Sequence, residues 1–201
     1  MKNGTYKLSF IGASIALNGS VKIAEVYLRL KDWEAVREEV FAKNLLQART
    51  RSSLQRSFQE LVPRLQLLTE AQLELLVAGN HQEQRQLLWF AICKRYAYIR
   101  EFAIEVLREK YLSLDYEVTE FDYEAFFNRK ADWHEELDRL KESTRTKLRT
   151  MLFRMLRDAE LITTDHLIIP AVLSRRVIEV LASEAPTGFQ IFPMSMADIP
   201  S

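Results

Sequence analysis

Apolar residues recur at helical spacing along most of this 201-residue chain. Leu148, Met151, Leu152, Met155, Leu156 and Ala159 fall at i, i+3, i+4, i+7, i+8 and i+11, which predicts a helix with one stripe for burial and the opposite face free. Leu54, Phe58, Leu61, Val62 and Leu65 repeat the pattern after a turn at Arg49 to Ser53. Pro63, on the polar side of that helix, is expected to kink it or end its first section, because proline supplies no amide hydrogen to the ladder. Ahead of it, Ser20 is positioned to cap a helix bearing Val21, Ala24, Val26 and Leu28, and Asp32 to cap a second with Trp33, Val36, Val40 and Phe41. From His81 to Leu112 apolar residues such as Leu87, Trp89, Phe90, Tyr96, Ile99, Phe102 and Leu107 occupy nearly every side of the wheel. This predicts one long helix buried on most faces.

Beyond the spine, Asp132 is placed to cap WHEELDRLKE and Ser143 or Thr144 to cap the helix that follows. LITTDHLII reads as two short apolar strands around a polar turn, and Pro170 opens a last helix with Val172, Leu173, Val177, Ile178 and Leu181. The final SEAPTGFQIFPMSMADIPS has Pro186, Pro193 and Pro200 and no period, so it is expected to be a tail or a segment ordered only by contact. Helix, Ser/Thr turn, longer helix and hairpin is the order of a winged helix-turn-helix, and a similar order stands near the N-terminus. Laying Leu54, Phe58, Leu61 and Val62 on Leu148, Leu152, Met155 and Leu156 suggests an internal duplication, although any two amphipathic helices align this way. The expected fold is mainly α and multi-helical. It comprises an N-terminal helix-turn-helix-like unit (1–70), a central spine with an acidic segment (71–130), a C-terminal winged helix-turn-helix with a short β-hairpin (131–183) and a tail (184–201).

Charge changes this picture. Lys and Arg total 28, as do Asp and Glu, so the formal net charge is zero, yet the signs are segregated. Arg139, Lys141, Arg145, Lys147, Arg149, Arg154 and Arg157 crowd one segment. Asp115, Glu117, Glu120, Asp122, Glu124, Asp132, Glu135, Glu136 and Asp138 crowd the stretch before it. With the Leu148 to Ala159 stripe inward, the outward arc holds Thr146, Lys147, Thr150, Arg154 and Arg157, with Arg145 and Arg149 at its edge. Cations neutralise phosphates, hydroxyls donate to phosphate oxygens, and an arginine can pair with guanine, so the arc suits a DNA groove. The corresponding N-terminal arc holds Arg49, Ser52, Gln55, Arg56 and Gln59. It has fewer cations but two amides able to read adenine, so a weaker or more specific contact is expected there. The competing reading is that the acidic stretch neutralises the basic helix through tertiary contacts. Phe153, on the outward side, is expected to pack under a neighbouring element.

Signatures of catalysis are missing. Five glycines provide neither a Walker loop nor a dinucleotide fingerprint, and His81, His134 and His166 are far apart in sequence with no metal-binding spacing. The lone Cys93 sits in an apolar run and reads as a buried thiol in a reducing cytoplasm, and the N-terminal KLSFIGASIAL is too short and too interrupted to span a bilayer. No enzyme, cofactor or metal is expected.

The segments YKLSFIGASIAL, NGSVKIAEVYLRLKDWEAVREEV, RSSLQRSFQELVPRLQLL, QRQLLWFAICKRYAYIREFAIEVLREKY and STRTKLRTMLFRMLRDAELI together resemble the BrxA family, over roughly residues 5 to 182. That family is the small accessory protein of bacterial BREX phage-exclusion systems. The resemblance implies a non-enzymatic cytoplasmic protein, similar to helical binders of double-stranded DNA with two helix-turn-helix-like ends. It implies work beside a methyltransferase, an ATPase and a phosphatase-like protein in host-DNA methylation and phage restriction. A comparison of the family with an RNA-binding antitermination fold keeps RNA open as a ligand, and a scaffold whose basic helix docks an acidic partner surface is the other alternative.

Overall fold

The computed structural model describes residues 5–12 and 14–195 of the chain. It is mainly helical, and its buried residues form one hydrophobic cluster running from Tyr6 to Met194. Residues 1–4, 13 and 196–201, and with them Pro200 of the C-terminal segment, lie outside the described residues.

After a 3-10 turn at Ser9–Gly12 come three α-helices, α1 (Leu17–Leu30), α2 (Trp33–Ala42) and α3 (Arg51–Leu65). The Asp32 carboxylate caps α2 by accepting from the Glu34 amide, as its position predicts. Ser20 does not cap α1: the helix already starts at Leu17, and Ser20 is buried inside it. Between α2 and α3 the chain turns through left-handed Asn44 and Gln47, and the Asn44 amide bonds the Ala48 backbone in both directions. Thr50 and Ser53 then close a capping box on α3. Pro63 sits in the last turn of α3, which ends two residues later at Leu65.

Helix α4 (Glu70–Ala78), capped by Thr69 and Gln72 and packed against α1 and α5, has no counterpart in the sequence reading. The expected single spine is two helices. α5 (His81–Arg95) stops at Tyr96, whose backbone is extended (φ −121°, ψ 97°), and helix resumes as α6 (Ala97–Phe102), a π-helical segment (Ala103–Arg108) and α7 (Glu109–Leu112). Tertiary contacts account for the break. The buried Tyr96 ring packs edge-on against Phe10, and its hydroxyl donates to Glu60 of α3 at 2.5 Å.

The acidic stretch is itself a helix, α8 (Glu120–Ala131), capped by Thr119, with Tyr123, Phe126 and Phe127 buried. Asp132 therefore ends α8 and caps nothing downstream; His134 precedes the single turn α9 (Glu135–Asp138). Neither Ser143 nor Thr144 caps α10 (Glu142–Asp158). That helix begins one residue earlier, behind Lys141, whose carbonyl accepts from the Thr144 and Arg145 amides.

Among the described residues no strand forms. The two short strands expected in LITTDHLII reduce to one antiparallel bridge, Ile162 with Ile168, around a turn whose His166 is left-handed. Pairing is split between two neighbours: Leu167 bridges Glu117, and the Ile168 amide donates to the Tyr116 carbonyl. Pro170 does not open the last helix either. The Val172 carbonyl accepts from the side chains of Gln82 and Gln86, and α11 (Arg175–Leu181) begins only after Ser174, which caps it. The C-terminal segment is ordered by contact: α12 (Thr187–Gln190) follows, Phe189, Ile191, Phe192 and Met194 are buried, and the Trp89 indole donates to the Ile191 carbonyl at 2.9 Å.

Candidate nucleic-acid interface

Helix α10 buries the stripe its sequence announces: Leu148, Leu152, Met155, Leu156 and Ala159 are inside, and Met151 is half-buried. Thr146, Lys147, Thr150 and Arg154 are exposed on the other face. Phe153 is buried among Phe102 and His166, so it supports the helix from beneath.

The acidic helix takes part of the charge. Arg145 is paired with Glu124, donates to Asn128 at 2.9 Å and lies 4.2 Å over the Phe127 ring. Arg149 reaches Glu120 at 3.0 Å and Glu124 at 3.3 Å. Both arginines are largely covered, so these two edge residues clamp α10 to α8. Arg157 is half-buried with Nη1 3.3 Å from His166 Nε2, and Arg154 makes only a long 3.9 Å contact with Asp158. Lys147 carries no ion pair among the described residues.

The N-terminal arc is arranged differently. Arg49, Ser52, Gln55, Arg56 and Gln59 are all exposed around the first turns of α3, while Leu54, Phe58, Leu61 and Val62 face inward. Arg51, which the helix wheel did not single out, is exposed beside them; its signal was the RTR run at the helix start. Among the described residues none of Arg49, Arg51 or Arg56 has an ion pair, and Glu60, four residues after Arg56, is held instead by Arg64 and Tyr96. The free positive charge is thus richer on α3 than the sequence suggested and poorer on α10.

Among the described residues no group of three or more His, Cys, Asp or Glu is placed to hold a metal ion, and no helix is long and apolar enough to cross a membrane. Cys93 is buried, and desolvation pushes its thiol pKa well up despite nearby Arg100, which leaves it a poor nucleophile. His134 is buried, stacked 3.9 Å on Tyr6 and bonded to Glu136 at 3.0 Å.

A family model described as BrxA matches residues 4–185. Two curated relatives are named BREX protein BrxA. The one from Escherichia coli O9:H4 (strain HS) is 23% identical over 156 residues, covering 78% of this chain and 73% of the relative. The one from Bacillus cereus (strain H3081.97) is 25% identical over 129 residues, so the match spans just under two thirds, 64%, of each chain. The crystal structure of an uncharacterized protein from Magnetospirillum magneticum superposes with a TM-score of 0.81 at 19% identity, covering 94% of this chain and 100% of that one, which shows a shared fold.

Proposed function

The chain belongs to the BrxA family, and from that premise we propose that it is a non-enzymatic component of a BREX phage-exclusion system that holds double-stranded DNA and positions partner proteins on it. In this reading α2 and α3 act as a helix-turn-helix-like unit, and α8 to α10 with the turn at 162 to 168 act as a reduced winged unit. Arg49, Arg51, Arg56, Lys147 and Arg154 meet phosphates, Ser52, Thr146 and Thr150 add hydroxyl contacts, and Gln55 and Gln59 are available to base edges. Arg145, Arg149 and Arg157 support the site by fixing α10 rather than by touching DNA.

The observation that carries the proposal is a group of exposed cations with no ion pair among the described residues, Arg49, Arg51, Arg56 and Lys147, on or just before two helices whose other faces are buried in the common core. Unneutralised cations on rigid helices lose no internal pairing when they take phosphate, so they suit sequence-tolerant backbone contact. A mobility-shift series with unrelated duplexes and a structured RNA across salt concentrations tests it. The proposal expects duplexes to bind alike and with strong salt dependence. Preference for the RNA, or no shift with either, would remove duplex DNA as the ligand.

A further inference from the structure

Five of the eight exposed large hydrophobic side chains among the described residues stand on three neighbouring segments, the other three being Leu67, Trp133 and Val172. Leu112, Leu114 and Tyr116 stand out from the loop after α7, Phe121 from the first turn of α8, and Leu167 from the turn that would be the wing; Leu114 and Phe121 are 74% and 79% exposed. Backbone bonds hold these segments together. Leu167 bridges Glu117, the Ile168 amide donates to Tyr116, the Val118 amide donates to His166, and the Leu114 amide donates to Tyr111, whose ring packs on Tyr116. Lys110 ties the loop to α8 by bonding both Asp115 at 2.5 Å and Asp122 at 3.2 Å. A pinned apolar patch of this kind is a surface to be covered.

Its rim is acidic. Asp115, Glu117, Glu120 and Asp165 are exposed around the patch, and neither Glu117 nor Asp165 has an ion pair among the described residues. The nearby Lys110 is already committed to two carboxylates. Beside the turn, Arg149 is paired with Glu120 and Glu124 and Arg157 is half-buried against His166, so the exposed charge there is acidic and disfavours phosphate. A second copy of the chain is a poor match as well, because the cations of α3 and α10 stand among polar Ser52, Gln55, Gln59, Thr146 and Thr150. Trp133, an exposed ring elsewhere, is flanked by Asp132 and Glu135.

We propose that the turn at 162 to 168, the loop at 112 to 118 and the start of α8 form a protein-docking surface for a different protein whose contact face is apolar at its centre and ringed by Lys or Arg. Leu114 and Leu167 are the apolar anchors, and Glu117 and Asp165 supply the charge complementarity. The outer faces of α3 and α10 then meet DNA, and the turn at 162 to 168 meets a protein. The inference rests on the reading above only for its choice of candidates, the other proteins of the same BREX system.

The test is a titration of the full-length chain against each of those proteins purified singly, and against itself, with Leu114→Glu/Leu167→Glu and Glu117→Lys/Asp165→Lys variants. Both pairs lie at the surface, so an unchanged thermal midpoint and an unchanged circular dichroism spectrum establish that the variants are folded. The proposal expects one component to bind the wild type, the leucine pair to weaken it at least about tenfold, and the acid pair to abolish its salt dependence. It is overturned if no component binds, if the variants bind as the wild type does, or if the patch proves to drive self-association. A missing DNA shift in the wild type, beside an intact protein complex, would sink the DNA reading and leave this one standing.

Discussion

At the scale of single residues, the outcome for α10 turns on which arginines find acids within the chain. Arg145 and Arg149 are legible as cations, but their partners Glu120 and Glu124 lie more than twenty residues upstream in every pairing, and no helical spacing relates them. Only the packing of α8 on α10 brings them together. Glu124→Gln keeps an acceptor while removing the charge that holds both arginines. The expected result is duplex affinity raised about fivefold, the effect of roughly 1 kcal/mol of released attraction, alongside a lower thermal midpoint. A mobility-shift titration and a melting curve check the two halves separately. Conversely, Lys147→Ala with Arg154→Ala should weaken unrelated duplexes equally. Gln59→Ala should change the ranking among sequences and leave the mean affinity unchanged, read from the same titrations.

At the scale of elements, amphipathic stripes and local caps were readable, and breaks imposed from elsewhere were not. The stripes of α3 and α10 and the Asp32 cap follow from spacing and short-range chemistry. The interruption at Tyr96 follows from Phe10 and Glu60, both remote in sequence, so a continuous apolar wheel does not make a continuous helix. In α8 the charges concealed Tyr123, Phe126 and Phe127, the three buried aromatics that make the acidic stretch a helix.

The late start of α11 has a similar cause. Glu83 is 3% exposed, accepts from the Asn80 amide at 2.9 Å and from Ser174 Oγ at 2.7 Å, and faces Arg176 at 3.3 Å, so one carboxylate joins the starts of α5 and α11. Burial alone would raise its pKa, but the bonds from Ser174 and Asn80 and the Arg176 charge outweigh it and hold the carboxyl below its ordinary 4.5. A lowered folded value means that the stabilisation is present above the unfolded value and fades as pH falls through the folded one. Glu83→Gln should therefore cost about 1–3 kcal/mol at neutral pH and flatten the loss of stability below about pH 4.5, measured by urea unfolding across pH.

At the scale of the whole molecule, the mainly helical class and the order of the two basic helices were legible, whereas the closure of the core was not. The C-terminal segment lacks a period because it is bound by single contacts. Phe192 is fully buried, and Ile191 receives the Trp89 indole bond from the middle of α5. Phe192→Ala should cost about 3–5 kcal/mol and lower one cooperative transition rather than create a second, since a single cluster spans both ends. Calorimetry checks this.

The same core fixes α3 and α10 to one body, and the central claim is that their outer faces hold duplex DNA through phosphates. The most direct measurement is the slope of log affinity against log salt for wild type and for Arg56→Ala with Lys147→Ala. Five phosphate contacts predict a wild-type slope of about −4.5, and loss of two predicts one shallower by about 1.8. A wild-type protein that fails to bind duplex at low salt, or a double variant whose slope is unchanged, would contradict the account.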